Sequence, residues 1–345
     1  MVTDVTVVGG GPAGAAVAIA LGRRGVRVAL YEKASSPRLK PCGEGLLPHG
    51  VEALLELTGE LPAAPRVRGL RFVVSGTSVE ADFPSGTGLV VRRDRFDRWL
   101  LERAAATPNV DVRLGTEYRH AGERMMVAAD GKRSMFHRRL PAYPSAPDRV
   151  GLSTHVAGLE GLVDRVEVFF HRDGELYLAP TGGGEALVAA LFHRASFRRD
   201  GIQHLLHAIP ELRARARQVE FTTPVLACAP LGLRVPRLTA PGLLLIGDAA
   251  GAPDPITGDG MALALTSAIP AADAIISGNL AAYSRLRRKM GRTADRLAAL
   301  LLRLSHVEGH AAVALLHRPA LVPTLLDVAV ARRPLNVATV LRAVI

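Results

Sequence analysis

A G-x-G-x-x-G spacing lies close to the start of the sequence, and a turn of this kind can accept a diphosphate. It follows a short β-branched run, residues 5–8, and precedes a strongly helix-forming run, residues 15–21. In such a unit the first glycine permits a tight turn, the second lets the backbone approach a pyrophosphate, and the third lets the helix pack closely on the strand. The helix N-terminus then faces the anion. The residues we assign to this dinucleotide-binding turn are Gly9, Gly11, Pro12, Ala13 and Gly14.

An acidic residue follows the turn at the distance that a dinucleotide site requires. A second β-branched run, residues 26–31, ends at Glu32, 18 positions after Gly14. A carboxylate at the end of this strand can hydrogen-bond an adenosine ribose and disfavours a 2′-phosphate. We therefore predict that Glu32 and the adjacent Lys33 belong to the same binding site.

Three later segments carry charged residues in patterns that a nicotinamide-binding unit alone does not explain. An apolar run ends on Asp248 and leads into a Pro-x-x-Gly-x-Gly segment, residues 255–260. Asp130 lies in an Ala-Asp-Gly segment, and Arg93 opens an Arg-x-x-Phe-Asp segment. In their order along the chain, the glycine turn and these three segments resemble the FAD-dependent superfamily of aromatic-ring hydroxylases and geranylgeranyl reductases.

The resemblance implies FAD as the cofactor and roles for the matching residues. Asp248 would contact FAD near its ribityl and diphosphate portion, and Asp130 would lie at the FAD and pyridine-nucleotide site. Arg93 would lie near the cofactor. Approach of the following helix to the isoalloxazine ring would involve Gly258, Gly260 and Met261.

The loop Pro41-Cys42-Gly43-Glu44 bears most directly on the reaction. It resembles the Pro-Cys-Gly loop of geranylgeranyl reductases, in which the cysteine is implicated in reducing isolated alkenes, and also a Gly-Glu-x-Leu-x-Pro stretch of halogenases and hydroxylases. Cys42 is thus a candidate catalytic acid and, with Gly43, a candidate cofactor contact, although a buried cysteine also serves as an inert apolar residue. For Glu44 we expect a role in shaping the turn.

Two segments of the chain differ from motifs of the family, and these differences bear on which reaction is catalysed. The single tryptophan, Trp99, lies in a predicted helix rather than in a Trp-x-Trp-x-x-Pro segment, which argues against halogenation. The strand ending Tyr177-Leu178-Ala179-Pro180 departs from the reductases' Tyr-x-Trp-x-Phe-Pro strand. We predict an NAD(P)H-driven flavin monooxygenase that hydroxylates or epoxidises a hydrophobic small molecule. The alternative is a reductase of a C=C bond, and a lesser alternative is an NAD-dependent dehydrogenase.

The remaining pattern predicts an α/β fold, α+β in part. A Rossmann-like FAD-binding domain is expected in three pieces, residues 1–65, 93–149 and 236–290. A mostly antiparallel substrate-covering sheet is expected over residues 66–92 and 150–235 because apolar and polar residues alternate there. Tyr177, Ala179 and Phe192 are candidate pocket residues. C-terminal helices are expected over residues 291–345, with one apolar face formed by Leu297, Leu300, Leu301 and Leu304.

Composition limits the partners. The net charge is +11, but the basic residues are spread along the chain and only four are lysines, so no nucleic-acid partner is expected. A basic run, residues 285–292, is interpreted as a solvated helix face, with peripheral membrane contact as the alternative. Two distant cysteines and an acid at Asp4 favour a cytoplasmic protein. We expect the electrons that reduce the flavin to come from NAD(P)H or from a separate flavin reductase.

Overall fold

The structure is a computed structural model that describes residues 4–74, 76–119, 124–145 and 148–305. The strands are β1 (Val5–Val8), β2 (Val28–Glu32), β3 (Gly45–Leu46), β4 (Arg66–Val67), β5 (Gly69–Val74), β6 (Thr77–Asp82), β7 (Gly88–Val90), β8 (Val110–Leu114), β9 (Met126–Ala128), β10 (Tyr143–Pro144), β11 (Arg149–Ala157), β12 (Arg165–His171), β13 (Gly174–Gly182), β14 (Glu185–His193), β15 (Glu220–Phe221), β16 (Leu226–Cys228), β17 (Leu233–Arg234), β18 (Thr239–Ala240) and β19 (Leu243–Leu245). The helices are α1 (Pro12–Gly22), α2 (Pro48–Thr58), α3 (Arg93–Ala106), α4 (Gly201–Ala208), α5 (Pro210–Arg213), α6 (Gly260–Thr266), α7 (Ala268–Ile276) and α8 (Leu280–Ser305).

The first sheet has the strand order β18-β19-β9-β1-β2-β8, and every pair except β18–β19 is parallel. Its central strand β1 is buried along its whole length because helices and neighbouring strands surround it. The helix α1 is buried from Ala13 to Gly22, so its sequence is apolar on every side rather than amphipathic. A Cβ at Gly22 would lie 2.5 Å from Val110 Cγ2, and this glycine therefore permits the close packing of helix on sheet.

The second sheet runs β15-β11-β14-β13-β12-β5-β6, with β16 also paired to β11. Its pairs are antiparallel except β5–β12, which is parallel. Alternate residues of β14 face opposite sides. Val188, Ala190 and Phe192 pack in a core with α4 and α5. Leu187 and Ala189 point the other way and belong to the core that contains the first sheet. This sheet therefore has one face in its own core and one face available to a ligand.

The fold class predicted from the sequence is confirmed: a Rossmann-like unit is combined with a mostly antiparallel second sheet. The domain boundaries stay a prediction. Within the stretch 66–92, β5 and β6 join the second sheet, but β4 and β7 pair with each other and β7 also pairs with β3 in a small separate sheet. The predicted C-terminal helices begin within α8. Residues 306–345, and the side chains of Leu297, Leu300, Leu301 and Leu304, lie outside what the structure describes.

A helix that crosses a bilayer needs about 20 consecutive, mostly apolar residues. Among the described residues, no helix is both long and apolar enough to span a membrane.

Candidate functional site

The three glycines of the first turn meet different surroundings. A Cβ at Gly9, where φ is +107°, would lie 2.4 Å from the carbonyl oxygen of Ala129, and a Cβ at Gly14 would lie 1.8 Å from that of Gly9. Both positions are closed by backbone atoms. A Cβ at Gly11 would have Lys40 Nζ as its nearest neighbour, at 3.8 Å. Gly11 thus faces an open space bordered by a cation, which is where a diphosphate would have to lie.

The helix that follows this turn presents its N-terminus to the same space. Gly11 is its N-cap and has no side chain to cap it, and Pro12 is its first residue. The first amides of α1 have no intrahelical partner, so they are available to an anion. Pro12, Ala13 and Lys33 line the cavity beside them.

Glu32 is held in place by the turn that it is predicted to serve. Its Oε2 accepts the N–H of Gly10 at 2.8 Å, and its Oε1 accepts the N–H of Ala34 at 2.9 Å. Each carboxylate oxygen retains a further lone pair. Because Glu32 lines the cavity at the end of β2, it can accept a ribose hydroxyl without changing these two bonds.

The second glycine-rich segment closes the other side of the cavity. Asp248 lies in a short 3₁₀ helix, Gly247–Ala250, directly after β19. Gly247 has a φ of +60°, and a Cβ there would lie 2.6 Å from Ala13 Cβ, which shows how closely this segment approaches the start of α1. Asp248, Gly258, Gly260 and Met261 all line the cavity. The chain therefore brings both predicted cofactor segments to one place.

Asp130 supplies a buried acceptor at this site. Its Oδ2 accepts the N–H of Met135 at 2.9 Å, whereas its Oδ1 is buried without a hydrogen-bond partner among the described residues. A buried acceptor without a partner is costly. Because Asp130 lines the cavity, a cofactor hydroxyl would satisfy it. The open space at Gly11, the helix N-terminus, Glu32 and Asp130 together fit an extended dinucleotide such as FAD.

Cys42 and Gly43 line the same cavity, and the position of Cys42 is fixed from two sides. The Cys42 N–H donates to Ser153 Oγ on β11 at 3.3 Å, and the Glu44 N–H donates to Cys42 Sγ at 3.3 Å. Burial raises the pKa of the Cys42 thiol, while the nearby Arg93 guanidinium opposes that rise. The group is therefore a protonated thiol at neutral pH.

Arg93 is anchored by a carboxylate rather than free to move. Its Nε and Nη2 donate to the two carboxylate oxygens of Asp97, each at 2.9 Å. Burial opposes its charge, but Asp97 and the nearby Cys42 together outweigh burial and raise the pKa of Arg93. Lys40 contacts the same carboxylate at 3.3 Å. Arg93 and Lys40 together carry one more charge than Asp97 neutralises, so a net positive charge lies beside Cys42 and the cavity.

Glu44 does more than shape its turn. Its φ of +54° lies in the left-handed region, and its side chain is buried. Oε1 accepts the N–H of Arg93 at 2.8 Å, and Oε2 contacts Nε2 of the buried His155 at 2.9 Å. Glu44 thus joins the start of α3 to β11. The sequence analysis missed His155, because no local motif marks a histidine whose partner lies 111 positions away.

A buried four-residue network joins the second sheet to the glycine-rich loop. Arg149 donates to Glu175 Oε2 at 2.7 Å and to Asp254 Oδ1 at 2.8 Å. The Tyr177 hydroxyl also donates to Glu175 Oε2, at 3.0 Å. Asp254 Oδ1 accepts the N–H of Ile256 as well, so the network reaches the segment that lines the cofactor side. Burial raises the pKa of Glu175, and Arg149 opposes this.

A cavity of about 830 Å³ runs from the glycine turn to the inner face of the second sheet. Tyr177 and Ala179 line it, in agreement with their place among the candidate pocket residues. Phe192 does not: its ring packs against α4 on the opposite face, where a Cβ at Gly201 would lie 2.6 Å from the ring. The candidate position Phe192 was therefore wrong, because the strand alternation puts it in the other core. The apolar wall is formed by Leu70, Phe72, Val166, Val168, Phe170, Ala179, Leu187, Ala189 and Leu191.

The basic run 285–292 is not wholly a solvated face. Arg287 is buried, and its Nη2 donates to the carbonyl oxygen of Gly251 at 3.1 Å, just after the segment that carries Asp248. Arg288 donates to the carbonyl oxygen of Pro236. The interpretation was wrong for Arg287, because helical periodicity turns one residue of this run toward the cofactor domain.

The fold and the site together define a dinucleotide-dependent oxidoreductase, and the comparisons show that the dinucleotide is FAD. Residues 2–125 match the model of an FAD binding domain. The menaquinone reductase of Mycobacterium tuberculosis is 32% identical, over 86% of this chain and 84% of its own. The digeranylgeranylglycerophospholipid reductase 2 of Methanopyrus kandleri is 30% identical, over 75% and 73%.

Among solved structures, a flavin-dependent brominase has a TM-score of 0.80 with 20% identity, covering 95% of this chain and 93% of its own, which shows a common fold. The chain belongs to the family of FAD-dependent oxidoreductases that includes the geranylgeranylglycerophospholipid reductases and the menaquinone reductases. It is an FAD-dependent oxidoreductase.

Proposed function

We propose that the enzyme reduces an isolated C=C bond in a hydrophobic, isoprenoid-type chain, which was the alternative rather than the preferred prediction from the sequence. The observation that carries the proposal is the placement of Cys42, a protonated and partly buried thiol, at a cavity whose far wall is apolar. The name of the Methanopyrus kandleri relative points to the same substrate class, since a geranylgeranyl chain is a polyene hydrocarbon.

The apolar wall explains why a chain without polar groups would bind. The lining side chains of β5 and β12–β14 are aliphatic or aromatic, and Tyr177 is the polar exception among those on β13. The Tyr177 hydroxyl is already committed to Glu175. A hydrocarbon segment can therefore enter this region without leaving a polar group of the wall unpaired, and its burial is favourable through the hydrophobic effect.

Bound FAD, once reduced, would supply a hydride equivalent to one carbon of the double bond. The other carbon needs a proton, and the Cys42 thiol can supply it. Loss of that proton leaves a thiolate, and the Glu44 N–H and the Arg93 guanidinium lie where they stabilise this charge. Solvent then returns a proton to sulfur. The balance is one hydride and one proton added across the bond, with NAD(P)H or a separate flavin reductase as the proposed electron source.

Hydroxylation or epoxidation of a hydrophobic small molecule is the second candidate. It is supported by the apolar lining of the cavity around the reacting position, because oxygen chemistry on a reduced flavin requires the exclusion of water. Binding of nucleic acid is not part of either proposal. With either function we propose a cytoplasmic location and peripheral contact with a membrane, from which a hydrophobic substrate would reach the cavity.

Oxygen dependence separates the two candidates. The purified flavoprotein, reduced under anaerobic conditions, is incubated with geranylgeraniol, and the product is analysed by mass spectrometry. We expect a product that has gained two hydrogen atoms without oxygen. A product formed only in labelled dioxygen, and carrying the label, would replace the reductase with the monooxygenase.

The Cys42→Ser variant tests the proton donor. A hydroxyl is a much weaker acid than a thiol, so we expect turnover to fall by roughly a hundredfold or more while flavin content stays at the wild-type level. Cys228→Ser is the matched control, because Cys228 also lines the cavity but contacts Lys132 rather than Arg93. Equal turnover in Cys42→Ser and wild type would assign Cys42 a packing role and leave the source of the proton elsewhere.

A further inference from the structure

Two histidines and an aspartate converge on the outer side of the second sheet, away from the cavity. His171 ends β12, Asp173 lies in the two-residue turn to β13, and His204 lies on α4. Asp173 Oδ2 is 2.8 Å from His204 Nε2 and 3.5 Å from His171 Nδ1. The three candidate ligand atoms all lie within 4.8 Å of one another, and none of the three residues lines the cavity.

We propose that His171, Asp173 and His204 form a binding site for a divalent transition metal ion of the zinc class. Two imidazole nitrogens with one carboxylate oxygen are a ligand set that suits Zn²⁺, Co²⁺ or Ni²⁺. Calcium and magnesium bind mostly through oxygen atoms, so this site disfavours them. Three protein ligands leave at least one coordination position to water.

The hydrogen bonds within the cluster show which atoms would hold the ion. The Asp173 N–H donates to His171 Nδ1 at 3.2 Å, so this nitrogen presents a lone pair, and an ion would replace that contact. An ion would likewise replace the contact between His204 Nε2 and Asp173 Oδ2, which are 2.8 Å apart. Their side chains are 21% to 32% exposed, so an ion can reach them from solvent.

The position of the cluster indicates a structural role. His171 and Asp173 belong to the hairpin between β12 and β13, whereas His204 belongs to the helix that covers the sheet. A bound ion would tie the hairpin to α4 on the face opposite the cavity. The strands β12 and β13 carry Val168 and Tyr177 on the cavity wall, so the ion would stabilise the sheet that shapes the pocket without touching the flavin.

Metal binding is measured on the untagged, FAD-loaded protein after treatment with a chelator. Both cysteines are replaced by serine, because thiolates compete for soft metal ions. Titration calorimetry with Zn²⁺ is expected to give one ion per chain. The His171→Gln, Asp173→Asn and His204→Gln variants are each expected to weaken binding by roughly tenfold or more. Thermal unfolding with and without Zn²⁺ should show a rise in midpoint that these variants lose.

The matched control is His207→Gln, on the same helix as His204, whose Nδ1 contacts the carbonyl oxygen of Gln203. It should bind Zn²⁺ as the parent does. Flavin content reports whether each variant is folded. Absence of Zn²⁺ binding by the folded parent, or equal binding in the three site variants, would overturn the proposal and leave the three residues as a hydrogen-bonded cluster.

Discussion

At the scale of single residues, the glycines of the first turn act in two physically different ways. Gly9 and Gly14 are surrounded by backbone atoms at distances that no Cβ tolerates, so they are needed for the fold itself. Gly11 has an ordinary extended conformation, with φ of −73°, and only a flexible lysine nearby. Its lack of a side chain therefore serves the ligand rather than the protein.

Substitution separates these two roles. Gly11→Val should fold with the midpoint of thermal unfolding of flavin-free wild type but retain little flavin, because its branched side chain fills the space beside the helix N-terminus. Gly14→Ala should lose about 3 kcal/mol of stability, since overpacking of this kind forces backbone shifts. Flavin absorbance per chain and circular dichroism measure the two effects. Normal flavin content in folded Gly11→Val would contradict the placement of the diphosphate.

The residues that the sequence predicted are those whose neighbours are close in the chain. Glu32 ends the strand that follows the glycine turn and its helix, and Asp248 comes shortly after the strand of its own motif, so local patterns revealed both. His155 and Glu175 could not be found in this way. Their partners are Glu44 and Arg149, and it is the register of long strands, not a motif, that brings each pair together.

At the scale of secondary-structure elements, Arg149 connects β11 to β13 and to the loop after β19. It is fully buried and bonded to two carboxylates. Breaking a buried pair by removing one partner is strongly destabilising, because the remaining charges lose compensation. The network therefore holds the substrate-side sheet against the loop that lines the cofactor side.

The Arg149→Met variant tests this connection. At neutral pH we expect a loss of about 3–5 kcal/mol in the free energy of unfolding, measured by urea denaturation, together with faster release of flavin. Burial already raises the pKa of Glu175 above its usual 4.5, so protonation favours the folded state and stability is lost as pH rises. Without Arg149 this pKa rises further, and the loss should be smaller at mildly acidic pH.

Arg194→Met is the control for that experiment. Arg194 lies next to His193, which pairs with Arg149 across β11 and β14, but it forms an exposed ion pair with Asp148. Exposed pairs contribute little to stability, so we expect a much smaller loss than in Arg149→Met. Similar losses in both variants would show that the buried network has no special role.

The elements themselves were largely predictable, but their pairing was not. Alternation of apolar and polar residues predicted a sheet over residues 150–235, and the structure has long strands there at Arg165–His171, Gly174–Gly182 and Glu185–His193. The parallel contact of β5 with β12 joins segments almost a hundred residues apart. No local propensity encodes such a contact, because only the packed sheet determines which edge is free.

At the scale of the whole molecule, the cavity exists because the second sheet turns an apolar face toward the dinucleotide domain. Ala189 lies in the middle of that face. It pairs with Ser153 on β11 and with Tyr177 on β13, and all three residues line the cavity. Since Ser153 also bonds the Cys42 N–H, Ala189 is close to the proposed reacting position. Its small side chain leaves room there for substrate.

Enlarging this residue should therefore close the pocket without affecting the cofactor. Ala189→Phe is expected to keep its flavin and fold, and to lose at least roughly tenfold in kcat/KM, with long isoprenoid chains affected more than short ones. Ala227→Phe is the control, because Ala227 lies on the same sheet but is exposed and outside the cavity. If Ala189→Phe reduced all chain lengths as fast as the control does, the substrate would have to bind away from this sheet. The apolar wall would then belong to the packing of the two domains rather than to catalysis.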